Sequence, residues 1–418
     1  MAICKVPRRL ALLGGTTTLG DCLAALQYLA EPGQLLQGPS IAAYEHAFAR
    51  QVGVRFARSF SAGRVGLSGV LWSLGVGPGD EVLLQVPTHI VVANAIRFVG
   101  ARPVYVDCRL DSYTMDIEQA ERQLTPRTRV LLLQHTFGIP SDLDAALGLA
   151  RRGGLEVVED CVHALGATYH GRPVGSFGRA AFFSTEETKT ISSTMGGMVV
   201  TDEPELARRI EEFQARCAWP ATSLVVRHLL KLVLYYVLTE PRLHRYTRAA
   251  YELVGRHHPL PRPTTQRELR GLQPAAYAQR LSNAQAAVAL RQLQRLESNL
   301  AHRRAIAEAA RARLAEYGAT PPQSPAAAEP AFVRYPVWVS DRAAAVRLAA
   351  PRAVLGTWFT SVLEEAAAPS HGAYTPGACV RAEAAARHLV NLPTHLRVTR
   401  RDVRALVPAL ARAGVGAA

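Results

Sequence analysis

Between Gly63 and Phe213, short apolar runs rich in β-branched residues alternate with segments of helical period, and few folds accommodate that order. Residues 81–84, 103–107 and 130–134 read as strands, as does the run 155–158 that delivers Glu159 and Asp160. Residues 90–99, 116–124 and 142–152 carry the helical pattern between them. Strands that are apolar along their whole length and joined by helices are parallel and covered on both faces. The expectation is therefore an α/β domain with a mostly parallel sheet between helices. Before it, residues 1 to about 60 read as an irregular arm followed by a helix over 41–51. After it, one long helix is expected over 283–317 and a proline- and alanine-rich linker over 320–330. A strand over 331–339 then opens a small C-terminal α+β domain. The expected division is 1–270 and 271–418.

In open parallel sheets, ligands gather at the carboxyl ends of the strands. Asp160 ends one strand, and Ser184 ends the apolar run 180–183. Lys189 follows in a polar turn that closes at Gly196 and Gly197. A strand-end carboxylate, a strand-end hydroxyl and a lone lysine, in that order, are what a pyridoxal phosphate site requires. The lysine makes an imine with the aldehyde, the carboxylate keeps the ring nitrogen protonated, and the hydroxyl helps hold the phosphate. Each residue alone has a plainer reading. A loop lysine is usually solvated, and Asp160 could cap a helix. His163 could meet the cofactor's phenolic oxygen or be an ordinary satisfied histidine. The segment 61–67, containing Gly63, opens a helix whose first N–H groups suit a phosphate.

The formal charge of +14 fits a polyanion partner in principle, but no helix-turn-helix, finger or RNA-binding signature is present. The six cysteines contain no CxxC or zinc-like pairing, so no metal is expected and a reduced, cytoplasmic protein is the natural reading. Lys5, Arg8 and Arg9 precede a short apolar run that meets Gly14–Gly15 rather than a leader cleavage site. Residues 224–238 are apolar but interrupted by Arg227, His228 and Lys231, and Arg242, Arg245, Arg248, Arg256 and Arg262 follow. That run is too short and too charged to span a membrane. It reads as an amphipathic helix packed on its own domain or on a partner subunit. A peripheral contact of 224–262 with membrane or lipid-linked substrate is the alternative.

With those residues in place, nearly the whole chain resembles the DegT/StrS-type sugar aminotransferases, pyridoxal-phosphate enzymes of fold type I. Ser61-Ala62-Gly63-Arg64 resembles the family's S-G-T turn, and Gly77-Pro78-Gly79-Asp80-Glu81-Val82 its G-x-G-D-E-V. Pro103-Val104-Tyr105-Val106-Asp107 is similar to P-V-F-V-D, Thr125-Pro126-Arg127-Thr128 to T-P-R-T, and His135-Thr136-Phe137-Gly138 to H-x-y-G. Glu159-Asp160 with His163-Ala164-Leu165-Gly166-Ala167 resembles E-D-x-A-Q/H-A-x-G-A, and Phe183-Ser184 with Lys189 fits F-S-x4-K. Arg280–Ala287 and Asn391–His395 resemble two later motifs.

The resemblance implies a seven-stranded-type, mostly parallel sheet and pyridoxal 5'-phosphate as cofactor. It implies Lys189 as the Schiff-base lysine and Asp160 as the pyridinium partner. Ser184, Gly63 and Arg64 would lie at the phosphate, His163 near the phenolic oxygen, and His89 where the family stacks an aromatic ring. It further implies a homodimer that moves an amino group from glutamate to a keto-sugar carried on a nucleotide. Three departures stand out. Arg64 replaces a phosphate-binding threonine, the 86–88 loop is two residues short, and Ala278 replaces an asparagine that reaches the neighbouring subunit's phosphate. They keep two alternatives open: a lipid-linked or other non-nucleotide substrate, and a cofactor-binding protein without catalysis.

Overall fold

The computed structural model describes residues 8–248 and 263–416, so Cys4, Lys5, Arg256 and Arg262 lie outside the described residues. Seven strands build the central sheet. They are β1 (Phe56–Phe60), β2 (Glu81–Gln85), β3 (Arg102–Val106), β4 (Thr128–Gln134), β5 (Glu156–Asp160), β6 (Ala180–Ser184) and β7 (Gly197–Thr201). Their spatial order is β1-β7-β6-β5-β4-β2-β3. Adjacent strands from β6 to β3 run parallel, whereas β7 is antiparallel to both β6 and β1. The sheet is thus the mostly parallel α/β sheet expected. Two apolar cores flank it. One holds Phe48, Leu83, Leu131, Leu149 and Phe183, and the other Leu67, Leu84, Ile96, Leu132 and Phe182. The numbering alternates because successive strand residues face opposite sides.

Local signals account for most helix ends. Asp142 accepts the Ala145 N–H at the start of Leu143–Gly153, and Asp116 accepts the Gln119 N–H before Ile117–Arg122. The helix Ser40–Val52 stops at Gly53, whose φ of 76° is left-handed.

Three expectations change. The expected arm contains a helix, Leu19–Ala30, which buries Cys22 and Ala25 against Val225, Leu229 and Leu232 of the helix Thr222–Leu238. Its partner is two hundred residues away, so local sequence gives little warning. The expected single helix over 283–317 is two, Asn283–Leu293 and Leu296–Ala315. The first sits on the sheet through Ala286, Ala289 and Leu293. The second carries Ile306, Ala310 and Leu314 into a separate C-terminal core. No glycine or proline marks that break; two cores impose it. The third change is the antiparallel edge of the sheet: β7, beyond the Gly196–Gly197 turn, and β1, in the segment read as arm and helix, were not expected as strands.

The C-terminal core packs β8 (Arg334–Trp338) and β9 (Leu389–Pro393), an antiparallel pair, against helices, and Leu10 from the N-terminal arm joins it. The helix Thr222–Leu238 is amphipathic, as expected, but leaves Leu230, Leu234 and Val237 exposed. Among the described residues no helix is long and apolar enough to cross a membrane.

At the end of β5, Glu159 is fully buried and saturated with donors. It accepts from the N–H groups of Gly175, Phe177 and Gly178 at 2.7–2.8 Å, and its Oε2 lies 3.1 Å from His135 Nε2. Burial alone would raise its pKa, but the His135 ring and the backbone amides outweigh burial and hold it below the usual value. A depressed folded pKa gives stability that is present above the unfolded value and lost as pH falls through the folded one. Glu159→Ala should therefore cost about 3 kcal/mol or more at neutral pH. Urea unfolding midpoints should show that gap, and the gap should narrow as acid protonates the wild-type carboxylate.

Candidate active site

The ladder that joins β1, β7 and β6 sets Phe60 opposite Gly197 and Gly197 opposite Ser184. The turn after β1 therefore lands beside the end of β6. A Cβ on Gly63 would stand 3.1 Å from the Phe183 carbonyl oxygen and 3.4 Å from Ser184 Cβ. A Cβ on Gly197 would collide with the backbone of Ala62 and Gly63. These two glycines keep open a cradle where the first N–H groups of the helix Gly63–Ser73 and the Ser184 hydroxyl converge, the chemistry a phosphate needs. Ser184 Oγ meanwhile accepts the Glu186 N–H at 3.2 Å.

Arg64 does not offer its guanidinium to that cradle. The group forms an ion pair with buried Glu268 and donates to the Pro263 carbonyl at 3.2 Å. Of the two ways Arg64 might serve a phosphate, only its backbone is uncommitted to a carboxylate. Ala278 packs its methyl in the core and gives its carbonyl to the Ala218 N–H, so no amide extends from that position.

Asp160 lies at the sheet's carboxyl edge, 1% exposed. Its Oδ1 accepts the Val162 N–H at 3.1 Å, but its Oδ2 is buried without any partner. Burial pushes its pKa up to about 6, against the pull of the Val162 amide and the Lys189 charge. An orphaned buried carboxylate oxygen is costly unless a donor completes it, and a protonated pyridine nitrogen is such a donor. Together with the glycine cradle, this makes the residues present a fit for pyridoxal phosphate.

His163 is also buried, with Nδ1 accepting the Phe137 N–H at 3.4 Å. Burial, then the neighbouring Lys189 and Arg334 charges, push its pKa well down. The ring is therefore neutral, and with Nδ1 accepting, the hydrogen is on Nε2, which can donate. His89 caps its own helix, its Nδ1 accepting from the Val91 N–H, while its Nε2 meets Glu365 at 3.2 Å. It lies near His163.

The polar loop after β6 carries Lys189 and is held by side chains from far along the chain. Gln292 exchanges two hydrogen bonds with the Ser192 backbone, and Asn299 donates to the Thr190 carbonyl at 2.7 Å. Lys189 keeps some exposure along its length, while its amine lies 4.3 Å over the Trp358 ring. Burial lowers its pKa to about 8; Arg334 adds to that, while Glu186 and Asp160 oppose it. Asp160 and Lys189 thus feel one another's charge and His163 feels that of Lys189, with Ser184 and Gly63 at the adjoining cradle.

Two site neighbours escaped the sequence reading. Trp358 stacks on His163 at 4.4 Å between ring centroids, and the Arg334 guanidinium lies 3.4 Å over the same indole. Arg334 had a legible signal, an arginine inside an otherwise apolar strand. Trp358 sits in a loop and had none.

A model of the DegT/DnrJ/EryC1/StrS aminotransferase family matches residues 19–229 and 236–411. A GDP-perosamine synthase of Escherichia coli O157:H7 is 37% identical over 180 residues, 43% of this chain and 50% of that protein, so the match spans half the relative's length. The solved structure of DesV from S. venezuelae superposes with a TM-score of 0.74 at 28% identity, covering 94% of each chain. The aminotransferase TlmJ from Streptoalloteichus hindustanus gives 0.75 at 25% identity, covering 97% of this chain and 98% of its own.

Only the neutral amine is nucleophilic, and its share grows as pH rises through the pKa. With the value at about 8, about a tenth of Lys189 is neutral at pH 7. The rate at which the cofactor-free protein takes up an aldehyde at Lys189 should then level off just above pH 8, whereas an unperturbed lysine would still be climbing at pH 10.

Proposed function

The chain belongs to the DegT/DnrJ/EryC1/StrS aminotransferase family, and from that premise we propose that it moves an amino group from glutamate to a keto-sugar carried on a nucleotide. One observation carries the reading: the unpartnered Oδ2 of buried Asp160 in the same site as the depressed Lys189 amine. In this proposal Lys189 holds the cofactor's aldehyde carbon covalently, and Asp160 Oδ2 accepts from its ring nitrogen. His163 Nε2 donates to its phenolic oxygen. Ser184 and the backbone of Gly63 and Arg64 hold the phosphate, and His89 borders the ring. When bound, pyridoxal phosphate supplies an electron sink conjugated to the amine nitrogen of the substrate.

The remaining chemistry is proton movement and charge placement. As a free amine, Lys189 Nζ would take the proton from the donor Cα. In the second half-reaction the same nitrogen returns a proton to the sugar carbon that receives the amine. A pKa near 8 lets one amine both accept and release at neutral pH. Asp160, kept from water, would hold its charge at the ring nitrogen, where it favours the electron-accepting form.

A homodimer is part of the proposal. Leu230, Leu234 and Val237 leave an exposed apolar stripe that lines the same groove as Ser61, Ala62 and Arg64 of the cradle. A second copy covering that stripe would also close the cradle from solvent. Sedimentation should give a dimer, and Leu230→Lys with Leu234→Lys should shift it toward monomer. A monomeric wild type that pellets with anionic vesicles would replace the dimer with the membrane alternative.

Lys189→Ala should abolish both the visible absorbance of the lysine-bound cofactor and turnover with glutamate. A variant that kept full turnover would refute the assignment.

A further inference from the structure

Arg334 enters the site from β8, 3% exposed, and its guanidinium makes no hydrogen bond or ion pair with any described residue. Its neighbour Arg303 shows what a structural buried arginine looks like here. Arg303, 2% exposed, gives its donors to Asn299 Oδ1, the Val333 carbonyl and Thr394 Oγ1 at 2.9–3.0 Å. Both arginines and Lys189 line one small cavity. The carboxylates nearby are committed elsewhere: Glu186, whose charge reaches Arg334 most strongly, accepts from the N–H and the hydroxyl of Thr188. Glu187 pairs with Lys231 at 2.7 Å, and Glu364 accepts from Thr360. A buried guanidinium with five donors and no acceptor is expensive to keep unless a ligand completes it.

The geometry narrows the ligand. The guanidinium carbon lies 3.4 Å over the Trp358 ring, too close for the group to stand on edge, so its N–H groups point outward in a plane along the indole. A planar anion approaching edge-on matches that fork. The Lys189 amine lies 4.3 Å over the same indole, and it lines one cavity with Arg334 and feels its charge, so the free donors stand near the reacting nitrogen. In an amino acid, the carboxylate and the amine share one carbon. In a nucleotide-linked keto-sugar, the phosphates are several bonds from the reacting carbonyl.

We propose that Arg334 grips the α-carboxylate of the amino donor, with Trp358 holding the guanidinium flat and in reach. The inference rests on the aminotransferase reading above and adds the group that recognises its first substrate. Arg334 would bind the donor and orient its Cα toward Lys189 Nζ, and the sugar half-reaction would not call on the same pairing.

The test compares L-glutamate with its α-amide, isoglutamine, in single-turnover reactions of the holoenzyme. Wild type should prefer glutamate. Arg334→Gln should lose about tenfold or more in kcat/KM with glutamate, chiefly in KM, the scale of one lost charge-assisted hydrogen bond. It should change little with isoglutamine, so the preference collapses toward one. Arg334→Lys, which keeps the charge but not the fork, should fall between, and it decides the matter if the glutamine variant does not fold. Variants that keep the wild-type preference for glutamate would overturn the role of Arg334 alone. A wild type that converts no amino acid would instead sink the aminotransferase reading, and this inference with it.

Discussion

Two neighbouring carboxylates at the end of one buried strand organise this molecule. Strand geometry sends Glu159 and Asp160 to opposite faces of the sheet. On one face Glu159 is saturated by three backbone amides and His135, which ties the 175–178 turn to the sheet. On the other, Asp160 keeps an oxygen with no partner. The first carboxylate is a structural anchor whose burial is compensated within the chain. The second is uncompensated, and the cost of leaving it so is of the size that a bound cationic ring can return. Rigid support on one side and an unmet need on the other is the arrangement expected where binding is pre-organised.

The cations around Lys189 repeat the contrast. Arg303 and Arg334 are both buried near the lysine, and burial lowers both, to about 10 and about 9. Arg303 donates three hydrogen bonds, two of which tie the helix Leu296–Ala315 to Val333 and Thr394 beside the C-terminal strands. Arg334 faces the cavity with only an aromatic ring beneath it. Lys189 stands between these charges, and burial plus the nearby guanidinium bring its amine to a pKa at which it can exchange protons at neutral pH. The loop that carries it is fixed by Gln292 and Asn299, so the C-terminal helices act on the chemistry by holding backbone rather than by touching substrate.

Much of this was legible beforehand, for identifiable reasons. Parallel strands buried on both faces are uniformly apolar, so the runs 81–84, 103–107, 130–134 and 155–158 stood out and overlap the strands 81–85, 102–106, 128–134 and 156–160. Asp160, Ser184 and Lys189 were readable because each follows such a strand within a few residues. What the sequence hid involved partners distant along the chain. The helix Leu19–Ala30 is stabilised by residues near 229, and the break after Leu293 answers to two different cores. The fate of Arg64 was equally hidden, because its partner Glu268 belongs to a segment two hundred residues on.

The succession of parallel strands and helices, and with it the carboxylate, hydroxyl and lysine at the strand ends, was legible in the amino-acid sequence alone, because apolar periodicity and strand-end chemistry are local properties. Which charges remain unpaired was decided only by the fold. Glu159 and Asp160 are adjacent and chemically alike, and so, one strand and one helix apart, are Arg303 and Arg334. Only three-dimensional packing supplies partners to one of each pair and withholds them from the other, because the donors and acceptors that could satisfy a buried charge come from anywhere in the chain.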